Sequence, residues 1–287
     1  MKKKLLVCGS AGFLMSNFMR YILYRSKDFE IVSVDKLTCP NDYKRVYLNR
    51  NHRFYIGDVT DESFIDRIIS IEEPDWIING VGCFSDTSPK RVKNHIRTII
   101  DSSILLSEYQ TPVIQLAQDP RVDKYGFNFT SAQFTLQKGT MLVLPSCLGF
   151  RQKPVAGLAQ MIDGILKYNT VYTYHQRWPW VYAEDVASLI WYIIENDIKG
   201  EVKMPPLGFM SLETMAQIVY KELQKNPRVI EVNQEVMPYN NGFWEPICYW
   251  PDKGSNIGDW VPDSPDLESM VRKTASWYQA NKWALSI

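Results

Sequence analysis

Apolar residues along this chain fall into short continuous runs, each closed by a polar residue or a glycine and followed by a segment of helical spacing. The first run is Lys4-Leu5-Leu6-Val7-Cys8. Glu30–Asp35, Arg53–Val59, Asp75–Gly80, Pro112–Ala117 and Gly139–Leu144 follow it as strands two to six. Between them an amphipathic segment starts at Ser16-Asn17-Phe18-Met19. A helix opens at Thr60-Asp61-Glu62 with Phe64, Ile65, Ile68 and Ile69 on one face, and another covers Lys90–Tyr109. Continuous apolar strands alternating with helices predict an α/β fold, a parallel sheet with helices on both faces. Ligands of such sheets sit beyond the carboxyl ends of the strands. From about Gly149 the pattern changes to helices at Val155–Tyr168, after Trp180-Val181-Tyr182, at Leu212–Leu223 and at Asp266–Trp283, with a short strand at Arg228–Val232.

The first strand ends in Gly9-Ser10-Ala11-Gly12-Phe13-Leu14-Met15. Gly9 permits a tight turn and Gly12 a close backbone approach, so the following helix aims its first N–H groups at a pyrophosphate. The second strand closes on Asp35, an acid at the place that suits a ribose diol rather than a 2′-phosphate. A Rossmann-type start and an NAD cofactor are therefore expected, with residues 1–150 as the dinucleotide-binding part. Residues 151–287 are expected to form mainly a smaller C-terminal lobe, intertwined with the first part. Met15 stands where a third small residue would let helix pack closely on strand. It is expected either to push the helix away or to enter the pyrophosphate space, weakening the cofactor site, the blander outcome being a thioether packed into the core.

Composition narrows the classes. Lys+Arg and Asp+Glu both total 32, which gives no electrostatic footprint for nucleic acid or an anionic membrane. The five cysteines are scattered without CxxC spacing, so neither a disulfide framework nor a zinc site is expected, and a reducing, cytoplasmic setting fits. No apolar stretch approaches the roughly 18 residues of a membrane span. His52, His95 and His175 are isolated and predict no metal site. Every tryptophan except Trp76 lies beyond residue 170, which reads as the packing of the second lobe.

These residues resemble the extended short-chain dehydrogenase/reductases that modify nucleotide-sugars, above all the dTDP-glucose 4,6-dehydratases and UDP-sugar epimerases. Gly9-Ser10-Ala11-Gly12-Phe13-Leu14 is similar to the family's glycine turn, and Val34-Asp35-Lys36-Leu37-Thr38 to the segment that holds the adenosine ribose. Gly57-Asp58-Val59-Thr60-Asp61 resembles the motif whose acid and following apolar residue meet adenine. Pro74–Asn79 precedes Val81 and Gly82, at the place of the family's paired alanines. Trp180–Ala187 and the tail Lys273–Trp283 look like the family's later motifs, the tail favouring the dehydratases. The resemblance implies Gly9, Ala11, Gly12, Phe13, Leu14, Asp35, Lys36, Asp58, Val59, Val81 and Gly82 as cofactor-binding residues.

The family's chemistry also needs a Tyr-x-x-x-Lys pair, whose phenolate takes the sugar hydroxyl proton. That pair is read as absent. Where it belongs stand Tyr125–Phe134, with Asn128 and Ala132 at the catalytic positions and a shortened helix before Gly139. After the fifth strand the family has hydroxyls and an acid pair, whereas this chain has Ala117-Gln118-Asp119-Pro120, leaving Asp119 as the one acid to act in catalysis. The resemblance thus implies a nucleotide-sugar dehydratase/epimerase homologue with impaired catalysis, serving as a nucleotide-binding or scaffold protein. Its partners would be a nucleotide-sugar or dinucleotide and a protein partner or homodimer. The alternatives are an active enzyme with replaced catalytic residues and an NAD(H)-binding redox sensor.

Overall fold

The structure is a computed structural model. It describes residues 2–285 except 26–28, 39–41, 48, 83–88, 119–138, 155–156, 174, 176 and 232–253; of 89–96 and 118 it describes the backbone. The first half alternates β1 (Lys3–Cys8), α1 (Phe13–Arg25), β2 (Phe29–Asp35), β3 (His52–Ile56), α2 (Glu62–Glu72), β4 (Trp76–Asn79), α3 (Pro89–Ser107), β5 (Val113–Gln118) and β6 (Thr140–Leu144). The second half continues with β7 (Ser146–Leu148), α4 (Gly157–Tyr168), β8 (Thr170–Thr173), β9 (Arg177–Tyr182), α5 (Ala183–Glu195), β10 (Gly200–Lys203), β11 (Gly208–Ser211), α6 (Leu212–Glu222), β12 (Arg228–Glu231) and α7 (Leu267–Ala280).

Seven strands form one parallel sheet in the order β10-β6-β5-β4-β1-β2-β3. The six strands read from the sequence are all in it, although the third ends at Ile56 rather than Val59. The seventh, β10, comes from beyond residue 150 and pairs with β6. Its four residues alternate around one buried valine, Val202, so no apolar run announces it. Met15, Phe18, Met19 and Ile22 of α1 share one core with Val186, Leu189, Ile190 and Ile193 of α5 on one face of the sheet. Ile65 and Ile68 of α2 and Leu106 of α3 cover the other. Strand order reverses between β1 and β4, so their carboxyl ends open a crevice where ligands of such sheets bind. Among the described residues no helix is long and apolar enough to cross a membrane.

Local rules explain the helix starts. Asp61 accepts the Phe64 N–H (3.1 Å), Ser211 that of Thr214 (3.1 Å) and Asp266 that of Ser269 (2.7 Å), so each satisfies a first-turn donor that the helix itself leaves open. The remaining elements surround a second core in which Trp178, Trp180, Tyr182 and Tyr278 are buried. Trp277 stacks on Phe150 with ring centroids 5.1 Å apart, and Tyr278 donates its hydroxyl to the Gln152 carbonyl at 2.7 Å. The tail residues therefore pin the loop after β7 from behind.

His175 ties this lobe together at the surface. Its Nδ1 lies 2.6 Å from Glu213 on α6 and its Nε2 2.5 Å from Glu231 on β12. The hydrogen bond and charge of Glu213, then those of Glu231, raise its pKa above the ordinary histidine value. Because the folded form holds this proton more tightly, the clamp contributes fully below the unfolded pKa and is lost as pH rises through the folded one. An NMR titration should place the His175 midpoint above that of the unfolded chain, and Glu213→Gln should bring it down. An unchanged midpoint in that variant would refute the clamp.

Candidate dinucleotide-binding site

The crevice is built on the exit of β1. Gly9 has φ +72°, a left-handed conformation that costs a side-chain-bearing residue, and a Cβ there would lie 2.9 Å from the Gly80 carbonyl oxygen. Its N–H bonds Val34 O at 2.9 Å, and the Gly12 N–H turns back onto Gly9 O at 2.9 Å. A Cβ on Gly12 would sit 2.9 Å from that same oxygen. Both glycines are thus demanded by the backbone, and α1 begins directly after them with the N–H groups of Phe13 and Leu14 lacking intrahelical partners. Those donors and the positive end of the helix dipole suit a pyrophosphate.

Asp35 closes β2 beside this turn. One carboxylate oxygen accepts the Ala11 N–H (2.9 Å) and the other the Leu37 N–H (2.8 Å), with Leu37 itself at φ +53°. Burial raises the Asp35 pKa, while those two N–H bonds oppose the rise. Each oxygen keeps a lone pair for a ribose hydroxyl. Lys36 reaches across to an ion pair with Asp58 at the end of β3, and Thr60 donates to Asp58 through both its N–H (2.9 Å) and its hydroxyl (2.8 Å). Burial alone would raise the Asp58 pKa, but the Lys36 and Thr60 bonds outweigh it and hold the carboxyl below its ordinary value. Val59 is buried beneath this pair with Leu6 and Val34. Across the switch point, the Val81 N–H bonds the Asn79 side chain at 3.1 Å and Gly82 is exposed. The eleven residues named from the sequence therefore gather along the carboxyl ends of β1, β2, β3 and β4. These features fit the adenosine and pyrophosphate portions of a dinucleotide.

Met15 corrects an expectation. It neither displaces α1 nor enters the pyrophosphate space, but lies buried in the core between α1 and β4. A Cβ on Gly80 would meet its Cγ at 2.2 Å and its Sδ at 2.7 Å. Gly80 thus provides the volume that Met15 takes. Sequence reasoning missed this pairing, and also the buried side chains of Asn79 and Gln115; a glycine and an asparagine closing an apolar strand were the available signals.

Asp119, Asn128 and Ala132 lie outside the described residues. The spacing Tyr-x-x-x-Lys does occur twice, as Tyr249/Lys253 and Tyr278/Lys282, contrary to the reading that it is absent from the chain. Neither stands at Tyr125–Phe134, where the resemblance implies the pair. Tyr249 and Lys253 lie outside the described residues, and Tyr278 is buried in the second core, bonded to Gln152, with burial driving its pKa far up. Cys147 donates to the Pro145 carbonyl at 3.3 Å, and burial pushes its thiol up to about 12, so it is inert at neutral pH. His52 is held between Ser33 Oγ (2.6 Å) and the Tyr47 carbonyl, with burial lowering its pKa. Among the described residues no group of three or more His, Cys, Asp or Glu could hold a metal ion.

A family model described as the NAD dependent epimerase/dehydratase family matches residues 5–105, the stretch that carries the glycine turn, Asp35, Asp58 and Gly82. A probable dTDP-glucose 4,6-dehydratase of Sinorhizobium fredii is 35% identical over 98% of this chain and 94% of its own length. The chain belongs to the NAD dependent epimerase/dehydratase family. That alignment runs over 339 positions against a chain of 287 residues, so the relative carries segments without a counterpart here. The low-salt glycan biosynthesis protein Agl12 of Haloferax volcanii is 40% identical, over 26% of this chain and 24% of Agl12. In fold, the chain is similar to a dTDP-glucose 4,6-dehydratase of Bacillus anthracis solved in complex with NAD. The TM-score is 0.79, with 17% identity over 99% of this chain and 98% of that one.

Proposed function

We propose that this protein binds NAD chiefly through the adenosine half and has lost efficient turnover of nucleotide-sugars, serving as a nucleotide-binding or scaffold member of its family. The reading rests on one contrast. The groups that would hold the adenosine half, Gly9, Gly12, Asp35 and the Lys36–Asp58 pair, are present with their hydrogen bonds made. Where the resemblance puts the family's proton-transfer groups, the chain instead carries Asn128, Ala132 and Asp119-Pro120. The relatives' names, dehydratases of dTDP-glucose, supply the ligand class.

NAD, when bound, would supply the hydride acceptor for oxidation of a sugar hydroxyl. The chain's own residues would orient it. The turn and the first N–H groups of α1 would take the pyrophosphate, Asp35 the ribose diol, and Asp58 and Val59 the adenine edge. A 2′-phosphate would meet the Asp35 carboxylate in a partly buried site and be repelled. Calorimetry should show NADP binding at least about tenfold, 1.4 kcal/mol, more weakly than NAD. ADP-ribose should retain most of the NAD affinity. Tighter NADP binding, or affinity that depends mainly on the nicotinamide, would overturn the reading.

A further inference from the structure

At the exit of β4 a chain of buried polar side chains runs across three elements. The Asn79 amide donates to Gln115 Oε1 on β5 (2.8 Å) and to Ser102 Oγ on α3 (3.3 Å). Ser103 Oγ also donates to Gln115 Oε1 (2.9 Å), and Gln115 Nε2 bonds the Leu116 carbonyl at 2.9 Å. Asn79 and Ser102 are 0% exposed, Gln115 1% and Ser103 2%. With its NH₂ committed to Gln115 and Ser102, the Asn79 amide must present Oδ1 the other way, and there it accepts the Val81 N–H at 3.1 Å.

Burying this much polarity stabilises little beyond what apolar side chains of the same shape would give, and each group is costly if left unpaired. What the network adds is placement. The Gly80 N–H bonds Cys8 O at 3.1 Å, and the Gly80 carbonyl sits against Gly9, so the first residue after β4 is fixed on the glycine turn. Asn79 fixes the next one. Asp35 and Asp58 place adenosine on the β2–β3 side, so a dinucleotide must continue past the pyrophosphate toward β4 and β5, over Val81 and Gly82.

We infer that Asn79 is a positioning residue: supported by Gln115, Ser102 and Ser103, it sets the Val81–Gly82 loop to receive the ribose beyond the pyrophosphate of a dinucleotide. The inference rests on the dinucleotide reading above. Its test compares NAD with ADP, which reaches only the glycine turn, Asp35 and Asp58. Asn79→Ala should weaken NAD about tenfold and ADP less than twofold. Ser103→Ala, a milder change that keeps Asn79, should weaken NAD about threefold with the same selectivity if the first variant fails to fold. Parallel losses for both ligands, or no loss for NAD, would refute the positioning role. If the wild-type protein bound neither ligand, the dinucleotide reading itself would fall.

Discussion

Alanine at position 80 is expected to lower the melting temperature by roughly 5–10 °C, and Met15→Ala in the same chain to restore most of it. A single methyl on Gly80 would lie 2.2 Å from Met15 Cγ, far inside contact distance. Met15 is 1% exposed and enclosed by the core shared by α1, α5 and the sheet, so it cannot swing clear. Overpacking of this kind costs about 1–3 kcal/mol, and each kcal/mol moves the midpoint by about 2–4 °C in proteins approaching this size. The two residues touch, so their effects must be non-additive. Met15→Ala alone opens a cavity and destabilises, yet in the Gly80→Ala background the same change relieves the clash. Additive melting shifts across the four proteins would show that the helix moves freely over β4. Such a result would remove the basis for calling the methionine a core residue.

The same pair shows what was legible in the sequence. Gly9, Gly12 and Asp35 are readable because a strand, a turn and a second strand end impose their constraints locally. Strands β1, β2, β4, β5 and β6 are readable because a parallel strand buried on both faces is a continuous apolar run, whereas β3, at the sheet's edge, is only partly buried. The short strands β7, β8, β10 and β11 have three or four residues of mixed polarity, and only their neighbours make them strands. Gly80 looks like the end of a strand until Met15 is placed over it. Asn79 looks like a polar terminator until Gln115, 36 residues later, is placed beside it. Constraints carried by contacts across the sheet leave no periodic signal. The tyrosine–lysine spacing teaches the opposite caution: Tyr278/Lys282 has the spacing of a catalytic pair, yet burial in the second core gives Tyr278 a packing role.

The largest expected effect concerns turnover. Incubated overnight with NAD and dTDP-glucose or UDP-glucose, the protein should yield no 4-keto sugar and no epimer beyond one equivalent. Dehydration across C5 and C6 requires prior oxidation at C4, and that oxidation requires a base to take the C4 hydroxyl proton as hydride leaves. A positioned acid–base group contributes about 10²–10⁴-fold in rate. The resemblance puts Asn128 and Ala132 where the tyrosine and lysine would stand, and Ala117 and Gln118 in place of the assisting hydroxyls. These functions would be lost together, because the lysine acts by lowering the tyrosine pKa and the hydroxyl by orienting the same sugar. The cofactor-side hydrogen bonds of Asp35 and Asp58 are meanwhile intact. Under the proposed function, loss confined to the reacting end would leave a fold kept for binding. Protein-dependent formation of product over many turnovers would overturn that reading. In that case Asp119→Ala is the next variant to make, since the resemblance leaves Asp119 as the one acid at a family position.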